Sequence, residues 1–318
     1  MQMMNKNGFS QCAGAYIERL RKEGRYSTAH VYKNALFSFS KFCGTLNISF
    51  RQVTRECLRC YGQHLYESGL KLNTVSTYMK VLRAIYNRAV DNGYALYVPR
   101  LFKHVHTSVC ADQRRALEVS DIGNLLCETE KASSCGSLPI ELQTTKNIFA
   151  LMFLLRGIPF VDLAYLRKAD IQGNTLKYRR RKTGRLLTVM LTPDAIKLIR
   201  IVAKTKPESP YLFPFLSSPE GTEAAYHEYQ SSLRMFNYRL SRLKKYMKTA
   251  AHLSSYTIRH TWATMAYYCE IHPGIISEAM GHSSIKVTET YLKPFQNEKI
   301  DNANSQVISY VKEYASIV

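Results

Sequence analysis

A small set of cationic and hydroxyl-bearing residues in the second half of the chain has the types needed to act on a phosphate. In chain order they are Arg156, Lys182, Arg259, His282 and Tyr291. A guanidinium group binds two phosphate oxygens at once and is always charged. A side-chain hydroxyl can act as a nucleophile. The set therefore indicates phosphoryl transfer by fixed cations and a nucleophile.

Each of these residues has a simpler explanation when it is taken alone. A single arginine is usually part of a surface ion pair, a single tyrosine usually packs in the core, and a Gly-His pair usually ends a helix. The order of the five residues along the chain is what favours a site.

Metal-dependent phosphate chemistry is not indicated by the sequence. It contains no carboxylate cluster with metal-like spacing, no P-loop and no HExxH motif. Of the eight cysteines only Cys57 and Cys60 form a CxxC motif, whereas a zinc ribbon needs a second pair. We therefore expect reduced thiols, no metal and no other cofactor.

The charge balance indicates a polyanionic partner. Lys and Arg number 44 against 24 Asp and Glu, a net charge of +20, which suits nucleic acid or an anionic membrane surface. The longest strongly apolar stretch, Ile148–Leu155, ends at Arg156, and a membrane-spanning helix needs about 20 apolar residues. The N-terminus lacks the apolar segment of a secretory signal. We therefore expect a cytoplasmic protein without a membrane partner.

The first hundred residues have the apolar spacing of a helical bundle. The predicted helices are Gln11–Lys22, one capped by Ser27, Arg55–Ser68 capped by Thr54, and one that Asn73 caps and Gly93 ends. Cations on their outer faces, including Lys71, Lys80 and Arg83, are candidate DNA contacts. We expect a helical domain over residues 1–98 and a linker over residues 99–113.

The remaining residues, 114–318, mix helices with a short β-hairpin. Alternation predicts strands at Leu176–Arg181 and Arg185–Leu191, with Lys182 in the turn between them. Helices are predicted at Ser120–Cys127, Thr145–Leu155, from Thr192-Pro193 to about Lys204, over about Thr222–Thr249, from near Ser255, Pro273 and Ser284, and over about Glu298–Ala315. The fold class expected is mainly α, with an α+β second domain.

Residues 114–294 resemble the catalytic domain of the tyrosine recombinases, the phage integrase family. The motifs that carry the resemblance are the segment Arg259-His260-Thr261-Trp262-Ala263-Thr264, the segment Met280-Gly281-His282-Ser283-Ser284 with Tyr291, and the basic hairpin. The helical domain is similar to the family's SAM-like core-binding domain. The resemblance implies that Tyr291 attacks DNA to leave a 3′-phosphotyrosyl link, with neither ATP nor a metal.

The resemblance also implies roles for the other site residues. Arg156 and Arg259 would clamp the scissile phosphate, Lys182 would protonate the leaving 5′ oxygen, and His282 would bond or orient the phosphate. The sequence departs from the family at Tyr256, which stands where a histidine is usual three residues before the second arginine. A phenol donates a hydrogen bond but is a poor base at neutral pH.

Two further residues are predicted to support the clamp without touching the phosphate. The family's acidic residue, three positions after the first arginine, is Pro159 here, so we expect Asp162 to orient the arginines. His260 is expected to be a buried structural residue next to Arg259.

The resemblance implies double-stranded DNA with inverted-repeat recombination sites as the partner. The two domains would close on it as a clamp, and the hairpin residues Arg179, Arg180 and Arg181 would contact it. We expect a monomer in solution and a homotetramer on DNA, in which the tail (about 295–318) docks on a neighbouring protomer through an apolar stripe. The few residues before the first helix favour a DNA invertase or a small mobile-element integrase of bacterial type.

Two alternatives remain open at this stage. Tyr256 also suits a DNA-binding regulator or accessory protein with a weakened recombinase site. A relaxing topoisomerase would use similar chemistry without protomer docking, which the apolar tail disfavours. The sequence does not separate inversion from integration or excision, because all three are the same chemistry on differently placed sites.

Overall fold

The computed structural model describes residues 8–103, 105, 116–126, 138–203, 205–247, 249, 251–292 and 297–315. They form two compact units: one holds the described residues of 1–112 and of 219–226, and the other holds those of 113–218 and 227–318. Most of the predicted linker, 104 and 106–113, lies outside the described residues. Within the described part of the chain, every helix is too short or too polar to cross a membrane.

Four α-helices lie wholly within the described part of the first unit. They are α1 (Phe9–Lys22), α2 (Tyr26–Cys43), α3 (Arg55–Glu67) and α4 (Leu72–Asp91). Their apolar faces meet in one core that includes Phe9, Phe39, Tyr61, Met79 and Leu82. The predicted helical bundle is thus confirmed, and the CxxC motif lies in α3.

The helix starts in this unit agree only in part with the predicted caps. The Thr54 hydroxyl accepts from the Cys57 backbone N–H at 3.1 Å, as predicted. The caps predicted at Ser27 and Asn73 are wrong. Both residues lie inside helices, because α2 begins at Tyr26 and α4 begins at Leu72.

The second unit places a small sheet among nine helices in its described part. The helices are α5 (Val119–Leu126), α6 (Ile140–Leu154), α7 (Phe160–Ala164), α8 (Pro193–Val202), α9 (Glu223–Met247, which begins in the first unit), α10 (Thr257–Tyr268), α11 (Pro273–Ala279), α12 (Ile285–Glu289) and α13 (Asn297–Ala315). The strands are β1 (Ile171–Gln172), β2 (Thr175–Arg179) and β3 (Leu186–Met190), antiparallel in that order.

The predicted hairpin is confirmed, with shorter strands. β2 pairs with β3 from Thr175 opposite Met190 to Arg179 opposite Leu186. The turn closes through a 2.7 Å hydrogen bond from the Gly184 N–H to the Arg180 carbonyl, and Gly184 takes a φ of +71° that glycine adopts readily. Lys182 therefore lies in a short turn between two paired strands.

The core of the second unit fixes the helices that carry the candidate site. α6 buries Phe149, Leu151 and Met152, and α9 adds Leu240 and Leu243 to the same cluster. The Thr192 hydroxyl accepts from the Ala195 N–H at 3.3 Å with proline in the first helical position, so this predicted helix start is confirmed.

Candidate active site

Arg156 lies in a strained turn directly after α6. It has a φ of +59°, which non-glycine residues rarely adopt, and Gly157 follows with +65°. A Cβ on Gly157 would come within 3.0 Å of the Arg259 Cα and 3.2 Å of the Trp262 Cβ. Glycine therefore lets α10 approach this turn closely. Arg156 is half-buried and donates to the Thr188 carbonyl of β3 at 3.2 Å.

Arg259 is a buried cation held by neutral acceptors. Only 2% of its surface is exposed. Its guanidinium donates to the Gly157 carbonyl at 2.9 Å and to the Met280 carbonyl at 2.7 Å. Burial, followed by the nearby charge of Arg180, lowers the pKa of Arg259. Among the residues that the structure describes, its hydrogen-bond partners are neutral, and no carboxylate forms an ion pair with it.

His282 is buried between Arg259 and Thr288. Its Nε2 lies 2.8 Å from an Arg259 nitrogen, and its Nδ1 lies 2.9 Å from the Thr288 hydroxyl. Arginine only donates hydrogen bonds, so Nε2 accepts and Nδ1 carries the proton. Burial and then the charge of Arg259 lower the pKa of His282 to about 3. The imidazole is therefore neutral at pH 7 and orients Arg259.

Tyr291 lies between two imidazoles, and its hydroxyl meets a second phenol. Its ring centroid is 4.4 Å from that of His260 and 5.0 Å from that of His282. The Tyr291 and Tyr256 hydroxyls form a short hydrogen bond. The guanidinium carbon of Arg259 is 5.9 Å from the Tyr291 ring centre. His260 is half-buried rather than fully buried.

Tyr256 connects the buried Tyr291 to the surface. Tyr256 is 41% exposed, whereas Tyr291 is 6% exposed. Tyr256 precedes the first residue of α10. Partial burial and the neighbouring Tyr291 raise the pKa of Tyr256. Tyr256 is therefore protonated near neutral pH, and its hydroxyl shares a hydrogen bond with that of Tyr291.

The hairpin turn is fastened to the loop that carries His282. The Thr183 hydroxyl donates to the Gly281 carbonyl at 3.1 Å, and an Arg185 nitrogen donates to the His282 carbonyl at 2.6 Å. Lys182 itself is exposed. The residue that resembles the leaving-group acid thus lies in a turn bonded to the loop of the buried histidine.

The placement of Arg180 contradicts the prediction that it contacts DNA. It is 5% exposed and forms an ion pair with Asp162, which is 3% exposed, at 3.1 Å. The other Asp162 oxygen accepts from the Arg181 backbone N–H at 2.9 Å. Burial raises the pKa of Asp162 and the charge of Arg180 opposes that rise. Asp162 therefore orients Arg180 and the hairpin, rather than Arg156 or Arg259 as expected.

The structure brings most of the predicted site together. Arg259, His282, Tyr256, His260 and Tyr291 form one connected group. The remaining candidate DNA contacts are all exposed, as a surface role requires: Lys71, Lys80, Arg83, Arg179 and Arg181. Sequence reasoning missed Thr288, whose signal was a hydroxyl on the short helix after His282, and Arg185, one of several basic hairpin residues. Among the described residues, no group of three or more His, Cys, Asp or Glu is arranged to hold a metal ion.

Comparison with known families identifies the fold and the class of protein. Residues 125–298 match the phage integrase family, and residues 9–104 match the phage integrase SAM-like domain. Since the first match spans more than half of the 318 residues, the chain belongs to the phage integrase family, the tyrosine recombinases. It is a site-specific recombinase, and the predicted family, fold class and enzyme class are confirmed.

Individual relatives are distant in sequence and similar in fold. A tyrosine recombinase of Thermosipho africanus (strain TCF52B) is 23% identical over 292 residues, which cover 90% of this chain and 95% of the relative. The Tn1549 transposon integrase in complex with transposon right end DNA has a TM-score of 0.64 at 13% identity, over 95% of this chain and all of that one. The XerH recombinase bound to difH has a TM-score of 0.61 at 14% identity, over 87% and 81%.

Proposed function

We propose that this recombinase cuts and rejoins double-stranded DNA through a covalent link between Tyr291 and a 3′ phosphate. The observation that carries the proposal is the connected group around Tyr291, in which Arg259 and His282 lie beside the ring and Tyr256 bonds the hydroxyl. The Tyr291 oxygen attacks phosphorus and the 5′ oxygen leaves. Because the link conserves the energy of the phosphodiester bond, rejoining needs neither ATP nor a metal.

In this proposal Arg156 and Arg259 stabilise the charge on the phosphate oxygens. Arg259 is already held by two carbonyls and an imidazole, so it does not need to reorganise when charge develops. The carbonyls leave its charge unneutralised, which favours an anion beside it. Lys182 is proposed to protonate the leaving 5′ oxygen from the hairpin turn.

Tyr256 is proposed to relay the proton of the nucleophile to solvent. Its oxygen accepts the proton of Tyr291 while its own proton passes to water, so it stays neutral throughout. A relay of this kind requires a group that both donates and accepts, which a phenol does. It does not require a basic pKa, and this explains how tyrosine can occupy a position where the family usually has histidine.

The DNA partner and the assembly are also proposals. We propose inverted-repeat sites on double-stranded DNA, a clamp formed by the two domains, and a homotetramer in which α13 docks on a neighbouring protomer. The exposed apolar side chains of α13 support docking. The Tn1549 and XerH structures are described as DNA complexes, which supports a DNA partner here. Inversion and integration or excision would use the same site.

Trapping of a protein–DNA adduct tests the proposal. DNA from the region around the gene, including any inverted repeats, is incubated with the wild type and with Tyr291→Phe, then denatured. We expect a protein-linked strand with a free 5′ hydroxyl from the wild type only, and band shifts from both.

Two results would count against the proposal. An adduct from Tyr291→Phe would assign the nucleophile elsewhere. Binding by both proteins with no adduct from either, on a site selected from random DNA for tight binding, would favour the regulator hypothesis.

A further inference from the structure

Arg180 is a buried arginine that the proposed chemistry does not use. It follows β2 and is the first residue of the hairpin turn, and its backbone closes that turn: its N–H donates to the Arg185 carbonyl at 2.8 Å and its carbonyl accepts from Gly184 at 2.7 Å. Its side chain turns inward and pairs with Asp162 at 3.1 Å. The residue therefore connects the turn of Lys182 to α7.

Asp162 holds the two residues immediately before Lys182. One carboxylate oxygen faces the Arg180 side chain, and the other accepts from the Arg181 N–H at 2.9 Å. The Arg181 guanidinium lies 3.7 Å from the centre of the Tyr165 ring, one residue beyond α7. The approach to Lys182 is thus fixed at two successive residues by one short helix and the residue after it.

The opposite side of the Arg180 side chain packs against the loop of His282. A Cβ on Gly281 would lie 2.9 Å from the Arg180 Cγ, and Gly281 has a φ of +65°. Glycine at this position lets the arginine stem pass between Asp162 and the loop. The same loop receives the hydrogen bonds from Thr183 and Arg185. Arg180 therefore contacts both structures that fix the turn.

The ion pair is not one that stability alone would favour. Among the described residues, the Arg180 Nε and Nη1 and the Asp162 Oδ2 find no well-aligned hydrogen-bond partner, although Nη1 and Oδ2 are close. Burying two charges with incomplete hydrogen bonding is often no better than an apolar pair of similar volume. A positioning role accounts for charged residues at these two buried sites.

We propose that Arg180 is a positioning residue that, with Asp162, sets the hairpin turn so that the Lys182 ammonium reaches the leaving 5′ oxygen. The inference rests on the proposed function. In the cleavage step the Tyr291 oxygen bonds to phosphorus, the bond from phosphorus to the 5′ oxygen breaks, and Lys182 Nζ gives its proton to that oxygen. The Tyr291 proton leaves through Tyr256 to solvent, and Lys182 becomes a neutral amine.

A substrate with a bridging sulfur in place of the 5′ oxygen isolates this role. A thiolate is a much better leaving group than an alkoxide and departs without a proton. We expect Arg180→Met to slow cleavage of the ordinary substrate by about 100-fold, the low end for loss of an acid–base partner, and to cleave the sulfur substrate within a few-fold of wild type. Lys182→Ala should give the same pattern.

Matched variants complete the experiment. Lys177→Met removes an exposed cation from β2, the strand that Arg180 follows, and should leave cleavage of both substrates unchanged. Arg259→Ala should cleave neither substrate, because Arg259 is proposed to act on the phosphate. Asp162→Asn/Arg180→Met removes both buried charges, so it should melt at a higher temperature than Arg180→Met and still depend on sulfur for cleavage.

Three results would count against the inference, and they are distinguishable. If Arg180→Met and the double variant each cleave the sulfur substrate as slowly as the ordinary substrate, Arg180 acts on the phosphate or only on the fold. Failure of sulfur to rescue Lys182→Ala would show that Lys182 is not the acid, which would also remove that part of the proposed function. A wild type that forms no adduct with either substrate would reject the cleavage chemistry itself.

Discussion

At the scale of single residues, the site combines buried cations with neutral hydrogen-bond acceptors. Arg259 satisfies its donors with carbonyls of Gly157 and Met280 and with the His282 ring. These partners fix the guanidinium without cancelling its charge. His282 is fixed in turn by Thr288. The energetic cost of ordering these side chains is met during folding, so little reorganisation is left for the reaction.

Substitution of Tyr256 tests the proton relay. Tyr256→Phe keeps the ring against His260 and removes the hydroxyl that bonds Tyr291. We expect adduct formation to slow by about 100-fold, since an acid–base partner contributes about 10²–10⁴-fold. Rates of adduct formation under single-turnover conditions measure it.

Tyr256→His provides the matched control for that prediction. An imidazole also donates and accepts, so the variant should retain more activity than Tyr256→Phe. Its rate should fall as the pH drops below about 6.5, where histidine becomes protonated. Equal activity of wild type and Tyr256→Phe would contradict the relay.

The neutral state of His282 predicts acid-sensitive stability. Its pKa is lowered to about 3 in the folded chain and is about 6.5 in an unfolded chain. The unfolded state therefore binds an extra proton between these values. The contribution of His282 to the free energy of unfolding is fully present above pH 6.5 and is lost as the pH falls towards 3. One such group contributes at most about 1.4 kcal/mol per pH unit.

Melting temperatures between pH 7 and pH 4.5 test this behaviour of His282. His282→Gln keeps an acceptor near Arg259 and removes the titration. The variant should be less stable than wild type at pH 7, and the gap between them should narrow as the pH falls. A constant gap across the range would contradict the assignment.

The sequence predicted the active-site residue types but not which arginine faces inward. Alternation along β2 buries Leu176 and Tyr178, so the next residue on that face is Arg180. Three successive arginines therefore cannot all face DNA. The partner of the inward arginine, Asp162, lies in α7, and both β1 and β2 come between the two residues in the chain. The pairing therefore depends on tertiary structure that local patterns do not contain.

At the scale of elements, the turn after α6 couples the two proposed phosphate-binding arginines. Gly157 adjoins Arg156 in sequence and contacts Arg259 in space, where its carbonyl accepts from the guanidinium. Both residues of the turn have positive φ. The close approach of α10 thus depends on a single residue without a side chain.

Gly157→Ala should separate these elements. The substitution strains a left-handed residue by about 1–2 kcal/mol, and its Cβ would also lie 3.0 Å from the Arg259 Cα. Overpacking of this kind costs roughly 1–3 kcal/mol more. Denaturant unfolding measures the combined loss in the free energy of unfolding. Adduct formation should also fall in this variant.

Gly173→Ala is the control for backbone strain. Gly173 has a φ of +59° and nothing within 4 Å of a Cβ built on it. Its substitution should therefore lower the free energy of unfolding only by the cost of backbone strain. Equal losses for the two variants would mean that the close approach at Gly157 has no energetic consequence.

Element types followed from local patterns, whereas some boundaries depended on the neighbouring chain. Thr54 and Thr192 cap helices as predicted because each has an extended backbone conformation. The side chain of each accepts a hydrogen bond from the backbone N–H three residues later. Ser27 does not, because Gly24 takes a φ of +70° and the Arg25 N–H bonds the Leu20 carbonyl at 2.8 Å. This tight link between α1 and α2 starts the second helix at Tyr26, two residues before the start that a cap at Ser27 would give.

At the scale of the whole molecule, a net charge of +20 coexists with an apolar helix face. α13 is held to its own unit at its start, where the Lys299 ammonium donates to the Tyr268 carbonyl at 3.1 Å. Further along, Val307 and Val311 are 61% and 58% exposed. Exposed apolar patches on proteins commonly mark interaction sites, so this face supports docking on a second copy.

Val307→Asp/Val311→Asp tests the docking of α13. The two residues are one helical turn apart, so the variant places two charges on the exposed face. We expect unchanged melting and unchanged binding to a single half-site, with loss of the assembly on a paired site. The mass of the protein–DNA complex in solution measures it.

Asn302→Asp/Gln306→Glu adds the same charge to exposed polar positions of α13 and should assemble as wild type does. A lower melting temperature of the valine variant, with normal assembly, would mean that this face packs on its own protomer.

The proposed DNA face predicts the salt dependence of binding. Each phosphate neutralised by a cation adds about −0.9 to the slope of log affinity against log salt. Lys80 and Arg83 are exposed and three residues apart on α4. Lys80→Gln/Arg83→Gln should therefore make this negative slope shallower by about two. Lys206→Gln removes an exposed lysine outside the proposed contacts and should leave it unchanged. A slope that changes equally in both variants would reflect total charge, and α4 would then not be a specific DNA contact.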